Sequence, residues 1–126
     1  MEKLKIIALY VMSFFYTLAG INHFINPAGY LRLIPEYLPN HTLLNLFAGL
    51  CEVAFGVLIV FPRSRKWAAW GIISMLLAFI PAHVYFIELN SCIEKGICLP
   101  PWTGWFRLVI IHPLLISWAY LYTRKI

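Results

Sequence analysis

Glu52 stands about nine residues into an apolar run that begins near Leu43. That depth is close to a bilayer midplane, where an acidic group costs roughly 2.5–3.5 kcal/mol on insertion scales. Such a carboxyl group is expected to be protonated, paired or turned toward a hydrated cavity. Three histidines can join it: His23 ends the first apolar run, His83 lies about two turns from the end of the third, and His112 about two turns into the fourth. If neighbouring runs are antiparallel helices, the histidines and Arg107 share one half of the membrane and draw toward one pocket with Glu52. Glu52 and His23 suit proton transfer, with His83, His112 and Arg107 as ligand-binding partners and Arg107 holding an anionic group. Three histidines, or two with a glutamate, also suit a transition metal such as zinc, iron or copper. His23, Glu52, His83 and His112 are the ligands such a centre would use, but they lack H-x-x-H or E-x-x-H clustering. Haem is a further use of two histidines, without a C-x-x-C-H attachment motif. A structural use competes with all of these: a neutral Glu52 bonded across helices, and histidines satisfying carbonyls freed by Pro81 or Pro113.

Cys92 and Cys98 form a separate signal. They share one connecting segment, where an oxidising compartment allows a disulfide around a small loop containing Gly96. A structural staple is the expectation. Redox exchange is the alternative, although the spacing is not C-x-x-C and Lys95 is the one nearby basic residue. Cys51 reads as a small packing residue.

These residues need elements to position them, and the hydropathy pattern supplies four. Apolar segments at about 4–25, 43–61, 67–89 and 105–122 are each near twenty residues, enough to cross a hydrocarbon core of roughly 30 Å at about 1.5 Å per residue. Of 126 residues, 62% are hydrophobic and 12% charged, against about 25% charged in soluble domains. The chain therefore reads as one all-α transmembrane domain over 1–126, an integral membrane four-helix bundle. The first segment follows a charged start, Met1–Lys5, but is too long for a secretory h-region and is read as a retained helix.

Charge placement sets orientation. Lys3, Lys5, Arg63, Arg65, Lys66, Arg124 and Lys125 fall on one side of a four-pass, up-down antiparallel topology, and Arg32, Lys95 and Arg107 on the other. By the positive-inside rule both termini are cytoplasmic, with a bacterial inner membrane the expected location. The net charge of +5 thus reports orientation and not a nucleic-acid partner. The connection at 26–41 holds Pro27, Pro35 and Pro39, with Tyr30 and Tyr37 suited to the headgroup layer. Asn40 or Thr42 could cap the second helix. Asn45, Gly49, Glu52 and Gly56 recur at helical spacing, so one face combines close-approach glycines with the carboxyl group.

The combination resembles the DoxX-like family of small membrane proteins. The resemblance rests on 19–27 (Ala-Gly-Ile-Asn-His-Phe-Ile-Asn-Pro), on 30–39 with its Ile34-Pro35 and Leu38-Pro39 pairs, and on 49–56 (Gly-Leu-Cys-Glu-Val-Ala-Phe-Gly). The Pro62–Arg65 turn, Phe79-Ile80-Pro81-Ala82 and Arg107-Leu108 complete it. It implies a four-helix membrane bundle and, for several relatives, association with redox systems, including thiosulfate oxidation with quinone as acceptor. His23 and Glu52 occupy the positions of that family's usual histidine and glutamate. This chain departs in carrying His83 after Pro81-Ala82, His112 where glutamine is common, and the pair Cys92 and Cys98.

The leading expectation is a redox-associated accessory protein whose pocket, in the outer half of the bundle, takes a quinone-like molecule or a metal. Its partners would be the bilayer, a membrane or extracytoplasmic redox protein, and a second copy in a homo-oligomer. The same residues fit a non-catalytic membrane partner or assembly factor with a structural polar core. A small-solute or ion transporter is a third reading, disfavoured because four helices without a repeat leave little material for alternating access.

Overall fold

α1 runs without interruption from Glu2 to Ile25. Its buried residues, Leu9, Met12, Tyr16, Gly20 and His23, recur every three or four positions, which is one stripe of a helix. The remaining faces are apolar and exposed, as at Phe14 and Leu18, and so suit lipid. The computed structural model describes residues 1–93 and 98–124. Lys95, Gly96, Lys125 and Ile126, which entered the charge and loop readings above, lie outside the described residues.

Pro27 opens a short helix, α2 (Pro27–Leu31), where its missing N–H costs nothing. α3 spans His41–Leu58 and therefore starts earlier and ends earlier than the hydropathy run. Its start is set by Asn40, which adopts a left-handed φ of 48° and accepts from the Leu43 N–H at 3.3 Å. Its end is set by the next turn. The Ser64 hydroxyl donates to the Leu58 carbonyl, while Arg65 Nε and Nη2 donate to the carbonyls of Ile59 and Val60. These carbonyls lie at and just beyond the C-terminal end of α3, where none has a partner within the helix.

The third span breaks in two. α4 (Arg65–Ala78) stops at Phe79, and α5 (Ile80–Glu88) restarts with Pro81 in its first turn. α5 closes on a Schellman motif: Ser91 N–H bonds to Phe86 O and Asn90 N–H to Ile87 O, with Asn90 left-handed at φ 57°. The fourth span starts at Trp102 and holds three windings. α6 (Trp102–Phe106) passes into a π-helical turn (Arg107–Ile111), then α7 (His112–Tyr120) and a 3-10 turn (Leu121–Thr123). Pro113 lies one residue beyond the π turn, after His112. Its ring and missing N–H disturb the preceding turn, and His112 N–H reaches back five residues to Arg107 O.

Among the described residues, four helical stretches are long and apolar enough to cross a membrane: Glu2–Ile25, His41–Leu58, Arg65–Glu88 and Trp102–Thr123. The chain is thus an all-helical membrane protein with no strand among those residues. α1 packs on α3, α3 on α4, and α4 on α7. Lys5, Arg65 and Tyr122 gather at one end, where the Tyr122 hydroxyl donates to Lys5 O at 2.8 Å. The apolar core, built around Leu9, Met12, Ile59, Ala69, Ile72 and Tyr122, fills that half of the bundle. The polar side chains collect toward the other half.

Candidate functional site

The site begins with two glycines. A Cβ on Gly20 would lie 2.7 Å from Gly49 O and 2.8 Å from Val53 N, and one on Gly49 would lie 2.8 Å from His23 Cβ. Only glycine lets the two backbones meet this closely. The close approach brings the buried face of α3, which is Asn45, Gly49, Glu52 and Gly56, directly onto the α1 stripe.

Across that seam His23 meets two partners. Asn45 Oδ1 is 2.7 Å from Nδ1, and Glu52 Oε2 is 3.0 Å from Nε2. All three residues are buried. Asn45 is oriented by its other end, because Nδ2 donates to the His23 carbonyl at 3.0 Å, one of the last carbonyls of α1. Turned the other way, the amide would set two acceptor oxygens against each other. So Oδ1 faces the ring, and Nδ1 must carry a hydrogen. Nε2 and Oε2 then stand at ion-pair distance, as imidazolium with carboxylate or as imidazole with carboxylic acid. Either way the pair is neutral overall, which lowers its cost inside a membrane. The Nε2–Oε2 approach lies off the hydrogen-bond direction, so Oε2 keeps unused acceptor capacity.

Tyr30 closes the far side of the imidazole. Its ring stacks on His23 with centroids 3.8 Å apart and planes 21° from parallel. Asn22 Nδ2 donates to its hydroxyl at 2.6 Å, and Asn26 Nδ2 donates to Asn22 Oδ1 at 2.8 Å. Tyr30 is half-buried, its ring covering the imidazole.

His83 and His112 form a second pair, with ring centroids 4.7 Å apart at 66°. His112 is buried and its Nε2 lies 2.6 Å from Leu76 O, in the last turn before the break at Phe79. A carbonyl accepts only, so Nε2 donates, and this histidine does structural duty at the broken helix. Among the described residues His83 makes no side-chain hydrogen bond. Arg107 lays its guanidinium 4.9 Å from the centre of the Phe86 ring, a cation–π contact, and lies within electrostatic reach of His83 and Tyr30.

The expected four-residue convergence is therefore two pairs, with Tyr30 and Arg107 between them. Among the described residues no group of three or more His, Cys, Asp or Glu side chains could hold a metal ion. Of the four expected ligands, His23 is engaged with Asn45, Glu52 and the Tyr30 ring, and His112 with Leu76 O. A cleft of about 500 Å³ does open beside α5, but Leu31, Arg32, Ile34, Glu36, His41, Tyr85, Leu89 and Ile93 line it. Cys92 and Cys98 are joined in a disulfide and face each other as an isolated antiparallel bridge, while Cys51 is free.

Three contributors escaped the sequence reading. Asn45 was visible only as a seam residue, and its tie to the His23 carbonyl needs the fold. Ser91 is wholly buried; its Oγ accepts from Gly104 N–H and donates to Pro101 O. Tyr16 sits on the α1 stripe seven residues before His23, a spacing that could have marked it.

Membrane-crossing helices around a buried polar seam define a small helical membrane protein. The chain belongs to the family described as "Domain of unknown function (DUF8561)", whose model matches residues 12–123, a span holding every candidate residue discussed above. No curated protein and no solved structure matches it.

Proposed function

We propose that this is a redox-associated membrane accessory protein of the DoxX-like type, whose His23–Glu52 pair exchanges a proton with a quinone-like ligand. The observation that carries the reading is the fixed tautomer. With Nδ1 committed to Asn45, proton exchange falls to Nε2 and Oε2, and gain or loss of a proton changes the charge of the pair by one. Oxidation of a quinol to quinone releases two protons and two electrons; a buried acid–base pair near bound quinol would take up one proton and the other would pass to water. The electrons would pass to a membrane or extracytoplasmic redox partner. His83 on the third span and Arg107 on the fourth would orient the ligand.

The same proposal includes an up-down antiparallel bundle, cytoplasmic termini and a bacterial inner membrane. Contacts that pair Gly20 with Gly49, Gly56 with Thr17, and Trp70 with Tyr120 support alternate helix directions. The basic residues at the Lys5–Arg65–Tyr122 end support placing it in the cytoplasm.

A second reading rests on the Asn45 tie to the His23 backbone and the Gly20–Gly49 contact: a non-catalytic assembly partner whose polar seam fixes helix register. One experiment separates the two. Protein purified in detergent from its own membranes is extracted with organic solvent and the extract read by ultraviolet spectrum. Quinone that copurifies with the wild type and is lost with Glu52→Gln supports the redox reading. Quinone-free wild type overturns it in favour of the second.

A further inference from the structure

Among the described residues, the Tyr16 hydroxyl is buried with no hydrogen-bond partner, and the buried Glu52 Oε2 also makes no hydrogen bond, its one polar contact being the off-axis ion pair with His23 Nε2. They are neighbours in the fold. Tyr16 lies across the seam from Gly56, whose added Cβ would stand 3.2 Å from Tyr16 Cβ, and Glu52 is one turn from Gly56 on the same face of α3. Tyr16 is 2% exposed, and its hydroxyl is within electrostatic reach of the Glu52 carboxyl group. A buried phenol and a buried carboxyl oxygen left unsatisfied each carry a substantial desolvation cost, so native proteins rarely keep two such atoms together without use.

From this juxtaposition we infer that Tyr16 and Glu52 are the two walls of a small site for one O–H group, which accepts from the Tyr16 hydroxyl and donates to Glu52 Oε2. Tyr16 is thereby a positioning residue for the His23–Glu52 pair, acting on His23 through Glu52. The inference does not depend on quinone binding. The O–H group has two sources, a water molecule or a hydroxyl of a bound quinol, and both present the same donor and acceptor to the site. The chemistry is one-sided. Beyond Tyr16 the α1 stripe continues with Met12 and Leu9, both buried in the apolar core with Ile59 and Ile72, which offer a proton no side-chain stepping stone. On the other side His23 stacks on Tyr30, whose hydroxyl is hydrogen-bonded to Asn22 and through it to the exposed Asn26. The titratable groups facing Glu52 are Tyr16 and His23 on α1 and Cys51 on its own helix.

Infrared difference spectra of the full chain in lipid, taken between two pH values, test the site. The Glu52 carboxyl band is identified by its loss in Glu52→Gln, and the Tyr16 ring C–O band by its loss in Tyr16→Phe. Tyr16→Phe is expected to shift the Glu52 band while helix content and melting stay near wild type. Glu52→Gln is expected to shift the Tyr16 band, and this reciprocal measurement decides the matter if Tyr16→Phe does not fold. An O–H band that moves in ¹⁸O-water identifies water as the guest. Coupling that emerges only after adding a short-chain quinol identifies the ligand hydroxyl. Bands that ignore each other's substitution overturn the site. So does coupling with neither a water band nor a quinol response, which means a direct Tyr16–Glu52 bond.

Discussion

Gly20 and Gly49 touch backbone to backbone: a methyl group on Gly20 would sit 2.7 Å from the Gly49 carbonyl oxygen and 2.6 Å from Val53 Cγ2. The atoms in the way are largely main chain, so a side chain there cannot be accommodated by rotamer changes. Gly20→Val should therefore separate α1 from α3 and cost about 1–3 kcal/mol by overpacking. Gly29→Ala is the control, because nothing lies within 4 Å of its added Cβ, and should stay within about 0.5 kcal/mol of wild type. Unfolding in detergent, followed by circular dichroism, reads both.

Asn45 is held at both ends by His23, once through the ring and once through the backbone carbonyl. Asn45→Leu leaves a buried ring donor and a buried carbonyl without partners, and each such orphan costs about 1–3 kcal/mol. Glu52→Gln should be far milder in stability, because a neutral amide can donate to Nε2 while Nδ1 keeps its hydrogen for Asn45. Equal destabilisation by the two changes, measured in the same unfolding assay, would contradict this proton assignment.

His83 and His112 should separate in the same way. His112→Phe removes the donor to Leu76 O beside the helix break and is expected to cost about 1–3 kcal/mol. His83→Phe removes no hydrogen bond to a described residue and should leave the melting temperature nearly unchanged. If His83 binds ligand, its substitution lowers quinone retention without lowering stability, a split that a purely structural pair would not show.

At the connection after α5, maleimide labelling of the unfolded, non-reduced protein should modify Cys51 alone, and reduction should expose Cys92 and Cys98. Ser91→Ala should destabilise by about 1–3 kcal/mol even with the disulfide intact, since Gly104 N–H loses its acceptor. Labelling of all three cysteines before reduction would count against the staple.

Orientation is checked by fusing a reporter to Ile126: cytoplasmic activity is expected, and activity confined to the other compartment would invert the placement of the whole polar seam.

Much of the scaffold could be read from residue order alone, and the reasons are physical. In a membrane the hydrogen-bonding demand of the backbone makes apolar runs into helices, so hydropathy located all four spans within a few residues. The periodicity of Asn45, Gly49, Glu52 and Gly56 marked the face that the fold buries. Helix ends were less legible, because they depend on side-chain geometry such as the Asn40 cap and the Arg65 bonds. The pairing of polar groups was hardest to foresee. Depth in the membrane suggested one cluster of His23, Glu52, His83 and His112, but helix rotation, set by the Gly20–Gly49 contact and by the breaks near Pro81 and Pro113, decides which imidazole meets which partner. A lone tyrosine such as Tyr16 carries no mark in the sequence of what its hydroxyl faces.

The fork of Arg65 onto the carbonyls of Ile59 and Val60 has a bearing on how this chain enters a membrane. A cation used as a hairpin clasp is not a free topogenic charge. Arg65→Lys keeps the electrostatic signal read during insertion but loses the two-pronged grip, because an ammonium is a single point of donation. Arg65→Gln removes both the grip and one charge, leaving Arg63 and Lys66 to carry the signal of the turn. Comparing the two variants would show whether the second and third spans enter as a preformed hairpin, with the clasp closing before the lipid does, or one after the other.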